Sequence, residues 1–145
     1  MTPDVNVLVA ASREDHPHHK PALGWLEGAL AETARAPSLA ILPMVASGFL
    51  RLATHPKVFV EPTPPEAAWA FLRAVLASPG VVQPPLAGEW AQFERLCEQH
   101  RLTGNAIPDA WIAAAAQFNH LHLVTFDKGF RKLLKPSMLT VLKAG

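Results

Sequence analysis

The chain has 145 residues, half of them apolar, which suffices for one domain with its own core and excludes a disordered protein. Thirteen basic residues against twelve acidic ones leave a net charge of +1, so no overall field marks a passive nucleic-acid-binding module, although an enzyme that holds phosphate through metal ions needs none. The lone Cys97 excludes a disulfide framework or a Cys-rich zinc site and fits a reducing cytoplasm, and no apolar run reaches membrane-spanning length, so no membrane partner is expected.

Taken in order, Met1 to Ala11 carries Asp4 and, two residues on, Asn6. By propensity Val5 to Ala10 reads as a strand, although Val5, Leu8 and Val9 also fit a helical turn. Ser12 to Pro21 is a polar loop. Its His16, His18 and His19 suit solvated or helix-entry positions better than a transition-metal site, because no organised partner cluster accompanies them. Ala22, Leu26, Ala29, Leu30 and Thr33 outline an amphipathic helix ending near Pro37. Met44 to Thr54 is a second helix, apolar almost all round, which implies deep burial; His55-Pro56 ends it. Val58 to Val60 reads as a short extended piece. Pro64 opens a third helix with Ala68, Phe71, Leu72, Val75 and Leu76 inward, closed by Ser78-Pro79-Gly80. Val81-Val82 is a short strand. Trp90, Phe93, Leu96, Cys97 and His100 share one face of a fourth helix, with Cys97 a core residue. Leu139 to Leu142 is a terminal strand. Helices alternating with short strands indicate a single three-layer α/β/α domain over residues 1–145, with a short, mainly parallel central sheet.

The stretch from Thr103 to Phe130 says most about chemistry. Pro108 suits a first helical turn, and Asp109 follows it at the head of the stripe Ile112, Ala113 and Ala116. His120 to Phe126 then reads as a strand that stops at Asp127-Lys128-Gly129, which puts a carboxylate where open α/β sheets place ligands. A first-turn acid favoured by the helix dipole and a turn-forming aspartate are the plainer readings of the same two residues. Asp4, Asp109 and Asp127 each fall where strand and helix meet, so one edge of a parallel sheet can gather all three. Clustered carboxylates repel unless a cation lies among them, and Mg²⁺ or Mn²⁺ takes such oxygen ligands and serves phosphodiester hydrolysis.

The pieces PDVNVLVAA (Pro3 to Ala11), DHPHH (Asp15 to His19), GFLRLATHPKVF (Gly48 to Phe59), GNAIPDAWIAA (Gly104 to Ala114) and VTFDKGF (Val124 to Phe130) cover nearly the whole chain in order. In them the sequence resembles a PIN-domain ribonuclease, of the kind that serves as the VapC toxin of a bacterial toxin–antitoxin pair. The resemblance implies that Asp4 ends the first strand and that Val5 to Ala11 starts a helix, against the propensity reading. It implies that Asp4, Asp109 and Asp127 bind Mg²⁺ or Mn²⁺ and carry catalysis, with Asn6 and Thr125 orienting ligands or water; Ser47 is a candidate substitute oxygen where the chain lacks a further carboxylate. It further implies an RNA substrate such as tRNA or rRNA, a small cognate antitoxin, a homodimer and a cytoplasmic location. Arg51, His55, Lys57 and Lys128 are candidate RNA contacts.

Two positions depart from the family pattern. Gly48 stands where PIN domains usually carry a glutamate, and Gly129 where many carry a further aspartate. The departures favour an alternative in which a catalytically weak or silent PIN fold serves as an antitoxin- or RNA-binding module. A phosphotransfer domain would also gather acids at a sheet edge, but Asp4-Val5-Asn6 lacks its second aspartate. Trp111 stands beside Asp109 where a small or polar residue is expected, as core packing or as an edge of an RNA groove.

Overall fold

The computed structural model describes residues 1–33 and 39–144. Five short strands, β1 (Thr2–Pro3), β2 (Leu39–Ala40), β3 (Val81–Val82), β4 (Leu123–Thr125) and β5 (Leu139–Val141), form two parallel ladders. In one, β4 lies between β1 and β5, with Thr2 opposite Leu123 and Leu123 opposite Leu139. In the other, Leu39 of β2 lies opposite Val81 of β3. The Ala40 N–H donates to the Met1 carbonyl at 2.9 Å, and the Thr2 hydroxyl donates to the Ala40 carbonyl at 2.7 Å. These bonds lay β2 alongside β1, and the strands run β3-β2-β1-β4-β5.

Strands of two or three residues cannot hold a sheet by their own ladder bonds, so the helices supply most of the core. They are α1 (Val5–Ser12), α2 (His19–Thr33), α3 (Pro43–Ala53), α4 (Pro65–Leu76), α5 (Trp90–His100) and α6 (Ala106–Phe118). Helix α1 packs against α2, α3 and β4, and α5 packs on α6. Val7 to Ala11 are all buried, as are Ala113 to Ala116, whose small side chains let the α6 backbone lie close to its neighbours. Fully buried Leu8, Leu42, Val45, Phe49, Leu123 and Phe130 join these layers into one core.

Several expected elements shift. Val5 to Ala10 is helix rather than strand, as the family resemblance implied: burial on nearly every side overrides the β-branched propensity of Val5, Val7 and Val9. Val58 to Val60 pairs with no strand and lies in a turn after α3. Helix α3 is less buried than its apolar sequence implied, for Ser47 and Arg51 face solvent and Met44, Leu50 and Leu52 are half-buried. Only Leu96 of α5 is buried, Cys97 is half-buried instead of a core residue, and Trp90 is 57% exposed. The strand expected from His120 contracts to Leu123–Thr125, since His120 takes a left-handed φ of 53° at the end of α6. The expected end of the first amphipathic helix near Pro37 lies outside the described residues.

The loop after α3 is tied back by Arg13. Its guanidinium donates from Nη1 to Thr63 Oγ1 at 3.0 Å and from Nη2 to the Glu61 carbonyl at 2.9 Å, pairs with Asp15, and lies 3.8 Å over the Phe59 ring. His19 opens α2, with its Nδ1 2.9 Å from the Ala10 carbonyl, and His18 stacks on Phe126 at 4.6 Å. The histidines of this loop therefore serve helix entry and packing.

Candidate active site

Asp4 follows β1 and caps α1: its Oδ1 accepts the Val5 N–H at 2.7 Å. Its Oδ2 accepts the Thr125 hydroxyl, also at 2.7 Å, from the end of β4. The carboxyl is only 5% exposed. Burial pushes its pKa above the usual range, the two donors pull it back in part, and the charge of Asp127 adds to the rise. The Thr125 Oγ1 also accepts the Asp127 N–H at 2.9 Å and the Asn6 Nδ2–H at 3.3 Å, while Asn6 Oδ1 accepts the Phe126 N–H at 3.3 Å. One hydroxyl and one amide thus lock the first turn of α1 to the end of β4, which fixes where Asp4 and Asp127 stand.

Asp109 arrives from the first turns of α6. Pro108 is the third residue of that helix, where its missing N–H leaves no intrahelical bond unmade. Ile112, Ala113 and Ala116 are buried, so the stripe that Asp109 heads faces the core as expected. Burial, then the charges of Asp4 and Asp127, push the Asp109 pKa up to about 6. That coupling brings the three acids into one electrostatic unit. Asp127 also caps the turn that follows it, accepting the Gly129 N–H on Oδ1 at 2.7 Å, so its turn-forming role and its place at the site coexist.

Asp4, Asp109 and Asp127 line an open cleft of about 540 Å³, together with Asn6, Ser47, Gly48, Arg51, Phe93 and Trp111. Thr125 supports it from beneath through Asp4. Of the basic candidates, only Arg51 lines the cleft. His55 and Lys57 lie in the turn after α3, where His55 Nδ1 accepts the Lys57 N–H at 3.1 Å, and Lys128 begins the turn beyond Asp127, outside the cleft. Among the described residues no group of three or more His, Cys, Asp or Glu side chains is gathered closely enough to hold a metal ion as the side chains stand. The acids instead surround a shared open space. An all-oxygen donor set in which burial and neighbouring charge raise the pKa of Asp4 and Asp109 suits a hard divalent ion that keeps much of its water.

A glutamate at position 48 does not fit this packing. A Cβ built on Gly48 would lie 2.8 Å from Val5 Cγ2, so α1 and α3 approach each other where the family's extra carboxylate would stand. At Gly129 the corresponding distance, to the Asp127 Oδ1, is 3.0 Å.

Sequence reasoning missed Glu89. It is 1% exposed and accepts the Trp111 indole N–H at 2.9 Å and the Ala87 N–H at 2.7 Å. Burial pushes its pKa up, but the donors from Trp111, Ala87 and its own amide outweigh burial and hold it below the usual value. An acid just before a helix carries no sequence signal of such a contact.

Residues 1–135 match the family model for the PIN domain. The chain is 37% identical over 132 residues to the ribonuclease VapC31 of Mycobacterium tuberculosis, covering 89% of each chain. It is 36% identical to the ribonuclease VapC25 of the same species, again over 89% of each. Among solved structures, VapBC2 from Rickettsia felis, bound to a DNA fragment from its promoter, contains a chain of the same fold. It superposes with a TM-score of 0.64 over 98% of both chains at 20% identity. No helix among the described residues is long and apolar enough to cross a membrane. The chain belongs to the PIN-domain family, among its VapC ribonucleases.

Proposed function

We propose that the protein is a divalent-metal-dependent endoribonuclease, the toxin of a toxin–antitoxin pair, and that Asp4, Asp109 and Asp127 hold the metal. One observation carries this reading. Three carboxylates from separate elements share one cleft, and burial, with the charges of Asp4 and Asp127 added to it, pushes Asp109 up to about 6. Mg²⁺ or Mn²⁺ is the fitting counter-charge, given oxygen ligands alone. When bound, such an ion polarises the scissile phosphate and activates a water. The chain's own residues do the rest. Thr125 orients the Asp4 carboxylate and holds the Asp127 backbone. Asn6 keeps the first turn of α1 in register with β4. Arg51, exposed on the cleft, meets a phosphate, and Ser47 offers an oxygen beside it.

The partner in this reading is a small antitoxin, as the VapBC2 assembly suggests for its relative, and the substrate is structured RNA such as tRNA or rRNA. A homodimer in the cytoplasm is the expected form. The exposed Trp69, Trp90 and Phe118 support pairing, since large aromatic side chains in water favour a covering partner.

The test is cleavage of RNA by the purified protein in Mn²⁺. Cutting that vanishes with chelator and in Asp4→Asn is expected, and so is slowed bacterial growth on expression that Asp109→Asn relieves. A folded wild-type protein that cuts no RNA across Mg²⁺ and Mn²⁺ titrations refutes the reading. It would leave a silent PIN module that binds antitoxin or RNA, the reading that the Gly48–Val5 contact favours.

A further inference from the structure

The cleft has a second wall that the three acids do not explain. Trp111 lines it from α6 and Phe93 from α5, with ring centroids 6.3 Å apart and planes 37° apart. Trp90 extends the aromatic row, edge-on to Phe93 at 5.3 Å. A half-buried indole can leave its N–H to water. Here the N–H is taken by Glu89, a carboxylate 1% exposed, at 2.9 Å. The other oxygen of Glu89 is taken by the Ala87 N–H, and Ala87 holds a φ of 114°, which a residue with a Cβ adopts only under constraint. Burying a carboxylate is costly even when it is hydrogen-bonded, and Glu89 has no ion-pair partner among the described residues. An apolar side chain would fill the same space at lower cost. The visible consequence of the buried charge is that it fixes the plane of one indole on the cleft wall.

We propose that Trp111 is the nucleobase platform of this cleft and that Glu89 is the residue that positions it, so that RNA is held by stacking one unpaired base beside the scissile phosphate. The proposal rests on the ribonuclease reading of the acids. Trp111 stands two residues beyond Asp109 on α6, and Arg51 of the same cleft supplies a cation for an adjoining phosphate. A base inside a duplex is already stacked on both faces and cannot reach an aromatic side chain, so the platform selects single strands and loops. Every base has a π-face, so stacking selects for strandedness more than for sequence.

The test begins with Asp109→Asn, in which cutting is expected to be lost while RNA binding is kept. Its tryptophan emission is followed during titration with an unpaired oligoribonucleotide and with a fully paired stem of the same composition. Quenching by the unpaired strand, little by the stem, and none after adding Trp111→Phe is expected. In the cleavage-competent protein, Trp111→Leu should raise KM for the unpaired strand about 5- to 150-fold, the range for loss of one base stack, while kcat changes far less. Trp111→Phe, which keeps a ring face, should restore most of that loss. Glu89→Gln offers one acceptor where two donors converge, so it should also raise KM. That effect should vanish in the Trp111→Phe background, where no N–H needs holding.

Equal quenching with and without Trp111, or a KM unmoved in Trp111→Leu, overturns the platform. An undiminished Glu89→Gln effect in the Trp111→Phe background overturns the positioning role. Metal-dependent cleavage with a silent Trp111 removes the platform and leaves the nuclease. Quenching at Trp111 in a protein that cuts nothing supports the platform and removes the nuclease.

Discussion

Asp109→Asn should make the metal-free protein more stable while ending its activity. In the folded chain the Asp109 pKa is pushed up from 3.8 to about 6. The folded state therefore holds the proton more tightly than the unfolded chain does. Below pH 3.8 both states are protonated and the group costs nothing. Between there and about pH 6 the unfolded chain ionises first, and stability falls as pH rises; above about 6 the full penalty is present. Two pKa units correspond to about 3 kcal/mol. The carboxyl is only half-buried, and screening by solvent brings the cost to about 1–2 kcal/mol. Asparagine keeps the shape and removes the charge. Melts in chelator should show the variant ahead by that amount at neutral pH and level with the wild type near pH 4. Mn²⁺ should then raise the wild type, by about 2.7 kcal/mol at a hundredfold excess over Kd, and move the variant much less. A variant less stable than the wild type in chelator at neutral pH, or equal Mn²⁺ shifts in both, would refute the reasoning.

Thr125→Val should cost about 2–3 kcal/mol, because it strips a buried donor from Asp4 and an acceptor from the Asp127 amide. With that donor gone the Asp4 pKa rises further, so the acid limb of the activity profile should move to higher pH, read as cleavage rate against pH. Arg13→Met should destabilise by about 2–3 kcal/mol in urea melts, chiefly through the lost bonds to Thr63 and the Glu61 carbonyl, and leave the Mn²⁺ response unchanged. Gly48→Glu alone should lose about 1–3 kcal/mol to the contact with Val5. Combined with Val5→Ala it should recover most of that and respond to less Mn²⁺ than the wild type in the same melts.

How much of this was legible in the sequence varies from acid to acid. Asp109 could be placed because a helical period carries its own geometry: an acid three, four and seven residues before Ile112, Ala113 and Ala116 must share their face, and all three are buried. Asp127 could be placed because strand ends are marked by turn residues. Asp4 could not be placed from propensity, since Val5, Val7 and Val9 favour a strand until α2, α3 and β4 surround them. The spacing of Val5, Leu8 and Val9 left a helical turn open beside the strand, and the resemblance of the whole opening to PIN domains decided for helix. For the basic candidates sequence proximity was a poor guide to the cleft. Arg51, His55 and Lys57 are close in sequence, but α3 ends at Ala53 and the chain turns, so only Arg51 reaches the cleft. Glu89 was invisible because its partner Trp111 is 22 residues away on another helix.

The missing glutamate at position 48 has a physical counterpart in the structure, and it bears on how strongly a metal ion would be held. Val5 occupies the space that a side chain at 48 would need, so the substitution at Gly48 and the β-branched residue after Asp4 form one packing unit. A quartet of carboxylates would bind a divalent ion more strongly, but it would also repel itself more strongly when empty. With three, the empty site is less strained: Asp109 carries part of the repulsion as a raised pKa, and Thr125 and the Val5 amide hold Asp4 in place. The expected outcome is a Mn²⁺ response in thermal melts that needs roughly high micromolar to millimolar metal. The Val5→Ala, Gly48→Glu pair tests this directly, because it returns the fourth carboxylate and should shift the metal requirement while leaving the cleft's aromatic wall untouched.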